Sequence, residues 1–196
     1  MVRNFLFFLF LFSFFHSFSQ TYLGQIINKK NDTIDVQIVI KGNMIFKNNK
    51  ILSIQDKITV LNKGVVKDYF PEDLKSFRIR MNKKIVNYES VENKFFAERL
   101  YSNKVKLFSI LVKTETWQSP YFAIYKVYFM KKPNQEKLIE LISNGFSRLI
   151  TQKEMMSKFS NCNILTERIE KDEIKIRSEK DLVEFMIDYE NSCLKN

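Results

Sequence analysis

Between Thr21 and Leu141 apolar residues recur at every second position, and that alternation constrains the chain more than any motif it carries. Successive side chains of a strand point to opposite faces, so a period of two describes pleated segments with one face buried. Residues 33–40 alternate most cleanly: Ile34, Val36, Ile38 and Ile40 face one way, while Thr33, Asp35 and Gln37 face the other. Gly42-Asn43 supplies a turn, because glycine tolerates the positive φ of a tight hairpin, and 44–47 reads as the returning strand. The same reasoning joins 58–61 to 65–69 through Asn62-Lys63-Gly64, and 77–81 to 85–88 through Asn82-Lys83, with Pro71-Glu72-Asp73 as a longer turn.

Residues 95–101 and 104–113 form a hairpin around Ser102-Asn103, and a loop holding Trp117 and Pro120 leads into 121–130. That run is apolar or aromatic on both faces except at Lys126, as in a strand inside a covered sheet. An aromatic platform for stacking sugars or bases is the functional alternative for the same residues.

After Asn134 the period lengthens. Residues 136–141 read as a last strand, and Thr151-Gln152-Lys153-Glu154 as a capping box opening a helix with Met155, Met156 and Phe159. A second short helix follows Asn163 and buries Ile164, Leu165, the stem of Arg168 and Ile169. In the third, Ser178 is the cap and Glu179 and Asp181 stand in the first turn; Leu182, Phe185, Met186, Tyr189 and Cys193 fall on one face. The runs 47–50 and 171–177 read as solvated loops. No linker or repeat divides the chain, so one α+β domain is expected over 20–196. It is an antiparallel β-rich meander of about 8–10 strands across 21–141, then about three short helices across 146–194.

Ahead of this body stands a different pattern. Arg3 precedes the apolar run 5–15 (FLFFLFLFSFF) and the polar, small-residue stretch 16–20, which is the layout of a secretory signal peptide. The run is barely more than half of the roughly 20 residues that span a bilayer. Ser17 and Ser19 occupy the positions a signal peptidase inspects, so residues 1–19 are expected to be removed before Gln20, leaving nothing that spans a membrane. A buried N-terminal helix or strand is the competing reading. No cysteine near the cut offers a lipid attachment point.

Export to the periplasm or beyond decides how the cysteines are read. Only Cys162 and Cys193 are present, and an even count in an oxidising compartment implies a disulfide. Cys193 points inward from the last turn of the third helix and Cys162 stands at the entrance of the second, so two short antiparallel helices bring them together. A reactive thiol or a metal-ligand pair is the alternative; no CxxC supports it, and the single histidine, His16, leaves with the signal.

The formal charge of +10 becomes +9 without Arg3, which suggests polyanionic partners. The two alanines, Ala97 and Ala123, and the abundance of Lys, Asn, Ile and Phe suit an AT-rich genome, which accounts for basicity without any ligand.

Three stretches carry a resemblance: the signal ending Ser-Phe-Ser-Gln, the turn from Tyr69 through Pro71-Glu72-Asp73 to Phe77, and the tail. In the tail Cys162 is followed by Asp181-Leu182-Val183-Glu184-Phe185 and Tyr189-Glu190-Asn191-Ser192-Cys193. In these the chain resembles a broad group of uncharacterised exported proteins of Bacteroidota. The resemblance implies an envelope or secreted protein with a β-rich body and a helical, crosslinked end; it transfers no activity and no site.

Without histidine the mature chain has no Ser-His-Asp, Cys-His or HExxH site, and GxSxG and glycine-rich phosphate loops are missing. Paired carboxylates remain as enzyme chemistry. Asp32, Asp35, Glu72, Asp73, Glu89, Glu92, Glu98 and Glu115 lie in the β region, each equally explained as a turn former or a solvated residue. Asn31-Asp32-Thr33 fits a glycosylation sequon and reads as the turn before a strand. No catalytic, cofactor-binding or metal residue is assigned, and no nucleic acid partner is expected. The first functional expectation is a non-catalytic module binding an envelope protein or glycan. The alternatives are a carboxylate-dependent hydrolase of envelope or polysaccharide substrates, and a basic surface for anionic glycan or lipid.

Overall fold

The computed structural model describes residues 19–41, 47–81, 83–114, 123–135, 137–141 and 148–194. The signal segment 1–18, the turn Gly42-Asn43, Glu115 and the loop with Trp117 and Pro120 lie outside them.

Ten strands build one antiparallel sheet: β1 (Ser19–Asn28), β2 (Thr33–Lys41), β3 (Ile58–Asn62), β4 (Val65–Tyr69), β5 (Leu74–Met81), β6 (Lys84–Val91), β7 (Phe95–Ser102), β8 (Lys106–Thr114), β9 (Ala123–Lys131) and β10 (Ile139–Leu141). Their order is β10-β9-β8-β7-β6-β5-β1-β2-β3-β4. The expected α+β meander with C-terminal helices is therefore present. One junction is not sequential: β5 returns to pair with β1, so two meanders share one sheet.

That junction forces the sheet to coil. Tyr69, at the end of β4, and Leu74, at the start of β5, are five residue steps apart, a reach of at most about 18 Å. In a flat sheet the four strand spacings between them would cover about 19 Å sideways. The register through Ile58, Val39 and Asn28 would add roughly 26 Å along the strands. Only strong twist and coiling bring the two ends within reach.

Among the described residues four helices complete the fold: α1 (Lys47–Asp56), α2 (Gln152–Phe159), α3 (Asn163–Glu170) and α4 (Glu179–Cys193). α1 corrects two expectations, since Lys47 opens a helix rather than ending a return strand, and 47–50 is not a loop. The partners of β2 are β1 and β3. Tertiary contacts hold α1 where local pattern does not: Ile54 is buried, and the Gln55 amide accepts the Leu111 N–H at 2.6 Å and donates to its carbonyl at 2.9 Å. Gln55 thus completes hydrogen bonds as a neighbouring strand would.

All four helices cover the same sheet face. A single row across it runs Ile26, Phe77, Tyr88, Glu98, Ser109, Tyr128 and Leu141. Under α1 the core holds Ile38, Ile58, Phe77 and Phe96; under α2–α4 it holds Leu107, Met130, Phe159, Leu165, Phe185 and Tyr189. Thr151 caps α2 through the Glu154 N–H, and Ser178 with Asp181 forms a full capping box on α4. Ile164 is exposed, contrary to expectation, because the buried face of α3 carries Leu165 and Ile169. The 171–177 segment is irregular as expected, yet Ile176 is buried and its carbonyl accepts the Leu149 N–H, so the run is not wholly solvated. Among the described residues no helix is long and apolar enough to cross a membrane.

Candidate functional site

The face of the sheet opposite the helices holds a groove of about 670 Å³ across β1, β2, β5 and their neighbours. Strand alternation places its walls. Leu61, Gln37 and Leu23 pair in sequence across β3, β2 and β1; the β1–β5 pairing ends at Gly24–Ile79, one residue short of Leu23 and Arg80, and the partner of Arg80 on β6 is Ile85. One step along the strands, Asp35, Gln25 and Arg78 form a parallel row. The β3–β4 turn, where Lys63 and Gly64 both adopt positive φ, lies at the groove as well. Leu23 is 63% exposed and Ile85 52% exposed.

The electrostatics are lopsided. Among the described residues Asp35 is the one carboxylate in the lining, and it already accepts a hydrogen bond from the Gln25 amide at 2.5 Å. Arg99, Arg148 and Arg168 are held in ion pairs with Glu89, Asp172 and Asp188. Arg78 and Arg80 have no such partner among the described residues. Two guanidinium groups on one strand face, separated by one residue, are thus left free for an incoming anion.

A second polar cluster lies under the helices. The Lys126 ammonium is 2.5 Å from a Glu179 oxygen and 3.6 Å from a Glu98 oxygen. The Tyr128 hydroxyl donates to Glu179 at 3.1 Å and the Ser109 hydroxyl reaches Glu98 at 3.5 Å. Burial, helped by the Glu179 charge, pushes the Tyr128 phenol upward; burial, helped by Glu98, does the same at Tyr88, whose hydroxyl has no hydrogen-bond partner among the described residues. Lys126 is engaged by both carboxylates, and Ser109 is buried. The cluster pins the first turn of α4 to β9.

The other sequence-selected acids are dispersed. Asp32 closes the β1–β2 turn by accepting from the Asn28 amide, and Asp73 accepts the Phe70 N–H. Glu72 is exposed, Glu89 holds Arg99 and Lys106 on the groove side of the sheet, and Glu92 pairs with Lys94. Only Glu98 meets another carboxylate, Glu179, with Lys126 between them. The signal for that contact is Lys126 itself, the one charged residue in the run 121–130.

Cys162, at the N-cap of α3, and Cys193, closing α4, have Cα atoms 5.6 Å apart, within disulfide range. Among the described residues no three of His, Cys, Asp and Glu converge as an ion site. Set against known proteins, the chain matches no family model, no curated protein and no solved structure.

Proposed function

We propose that the chain is an exported protein of the periplasm or cell exterior, and that it works as a non-catalytic binding module whose outer-face groove holds an anionic ligand. The observation that carries this is the pair Arg78 and Arg80, unpaired among the described residues and joined by Lys63 in a lining whose one carboxylate is already bonded. Export is supported by the signal-like segment 1–19, by two cysteines at disulfide distance, and by the resemblance to exported proteins of Bacteroidota. Carboxylate-dependent hydrolysis has less support, because the two acids that meet, Glu98 and Glu179, are bridged by Lys126.

The test is a titration of the mature chain, 20–196, with anionic ligands and their neutral analogues at rising salt. Affinity for the anions should fall as salt screens the guanidinium groups, and Arg78→Ala with Arg80→Ala should weaken it about tenfold or more. Equal binding of neutral analogues, or an unaffected double variant, would remove the reading. Turnover abolished by Glu98→Gln would replace it with hydrolysis.

A further inference from the structure

We infer that the groove takes a single-chain amphiphile, an aliphatic chain ending in a phosphate or carboxylate head; this rests on reading the groove as the binding site. The row from Leu61 through Gln37, Leu23 and Arg80 to Ile85 crosses five strands, a length of about 19 Å. Its hydrocarbon is exposed, as Leu23 and Ile85 show, and the methylene stem of Arg80 continues the apolar line between them. Beside that line Arg78 follows Arg80 at an i, i−2 step, about 6.6 Å along the strand, so both forks can close on one tetrahedral or planar head.

The floor selects against other anions. The groove lies on a sheet face and not along an outer edge, since β1, β2, β3 and β5 are all interior strands, whereas strand addition by an acidic peptide uses an exposed edge. Among the described residues no aromatic ring lines it, which leaves a sugar no face to stack on there. A concave volume of about 670 Å³ matches one small molecule, whereas docking on a membrane calls for a protruding apolar surface. The occupant is therefore a monomeric amphiphile.

The mature chain is titrated calorimetrically with methyl, octyl, decyl and dodecyl phosphate below their aggregation concentrations, with inorganic phosphate, a sulfated oligosaccharide and anionic phospholipid vesicles. Binding should be one to one and tighten roughly threefold per methylene until the groove is filled, with inorganic phosphate at least a hundredfold weaker than dodecyl phosphate. Leu23→Gln with Ile85→Gln should flatten the chain-length dependence, while Arg78→Met with Arg80→Met, which keep an apolar stem and remove the charge, should lower every affinity and keep the slope. All four side chains lie on the solvent-facing side, and unchanged urea midpoints confirm intact variants. Binding of the oligosaccharide with no chain-length dependence would overturn the amphiphile and leave the anion-binding groove standing. Binding of vesicles without monomers would also overturn it. Failure of every anion would remove both.

Discussion

The Glu190 carboxylate on α4 accepts the backbone N–H of Val105, 85 positions earlier, at 2.5 Å. Its second oxygen accepts from the Tyr101 hydroxyl and the Asn103 amide, each at 2.8 Å. Glu190 is 5% exposed, so one buried side chain fastens the last helix to the β7–β8 turn. Glu190→Ala should cost roughly 2–3 kcal/mol, because it strands the buried Val105 N–H and removes the charged acceptor of Tyr101 and Asn103. Glu190→Gln should cost about half as much, since its oxygen keeps some of these bonds while its NH2 meets a donor. Urea midpoints at constant slope measure both; an unchanged midpoint for the alanine variant would mean that the turn is fastened elsewhere.

Three residues beyond Glu190, Cys193 meets Cys162, and in an oxidising compartment the chain is predicted to carry that pair as a disulfide. A sequence separation of 31 gives a loop-closure contribution of about 3.7 kcal/mol in the chain-entropy description. The oxidised protein should therefore unfold at distinctly higher urea than the same sample after reduction. Intact mass before and after reduction and alkylation checks the bond itself. Alkylation of both thiols in the unreduced sample would contradict it.

The inward face of α4 and the nearness of Cys193 to Cys162 were legible because they follow from local spacing, whereas the Glu190 bond to Val105 reaches across 85 positions and was not. Helical spacing from Leu182 to Cys193 names the inward face, and an even cysteine count names the partner. Hairpins joined by short turns were readable for the same reason, as in β5–β6 and β7–β8. The β1–β5 pairing was not, since a period of two says which face a residue takes and nothing about which strand lies beside it. α1 was hidden because its place depends on Ile54 and on Gln55 reaching Leu111, 56 positions away. The groove was hidden too: Leu23, Arg78, Arg80 and Ile85 are each ordinary outer-face residues, and only the strand order gathers them.

Gly24 makes that gathering possible. A side chain there would put its Cβ 2.5 Å from the Arg78 carbonyl and 2.7 Å from the Ile38 Cδ1 atom. The side chain of Ile38 can shift, but the carbonyl belongs to the β1–β5 junction and cannot. Gly24→Ala should lower stability by about 1–3 kcal/mol and weaken ligand binding together with it, because Arg78 rides on the displaced backbone. Gly64→Ala probes the other requirement, a positive φ of 82° with nothing within 4 Å of the added Cβ. Its cost should be smaller, about 1 kcal/mol. A larger loss at Gly64 than at Gly24 would reverse this account.

Tyr88 and Tyr128 set the alkaline limit. Burial is the main cause raising both phenols, with Glu98 adding to Tyr88, and Glu179 adding to Tyr128 by charge and by its hydrogen bond. A folded value raised above the unfolded one means that the folded chain keeps its proton longer. The resulting stability is complete below the unfolded value near pH 10 and is lost as pH rises toward the folded one. Unfolding should thus set in above about pH 10, with tyrosinate absorbance from both residues appearing together with loss of structure. Phenylalanine variants separate the two. Tyr88→Phe keeps the ring stacked on Phe77 at 4.8 Å and removes a buried hydroxyl that has no partner, so neutral-pH stability should hold or rise. Tyr128→Phe gives up the bond to Glu179 and should lose about 1 kcal/mol at neutral pH. Each variant should shift the alkaline transition upward, because one titrating group no longer favours the unfolded chain. A drop in neutral-pH stability for Tyr88→Phe would show that its hydroxyl is bonded after all.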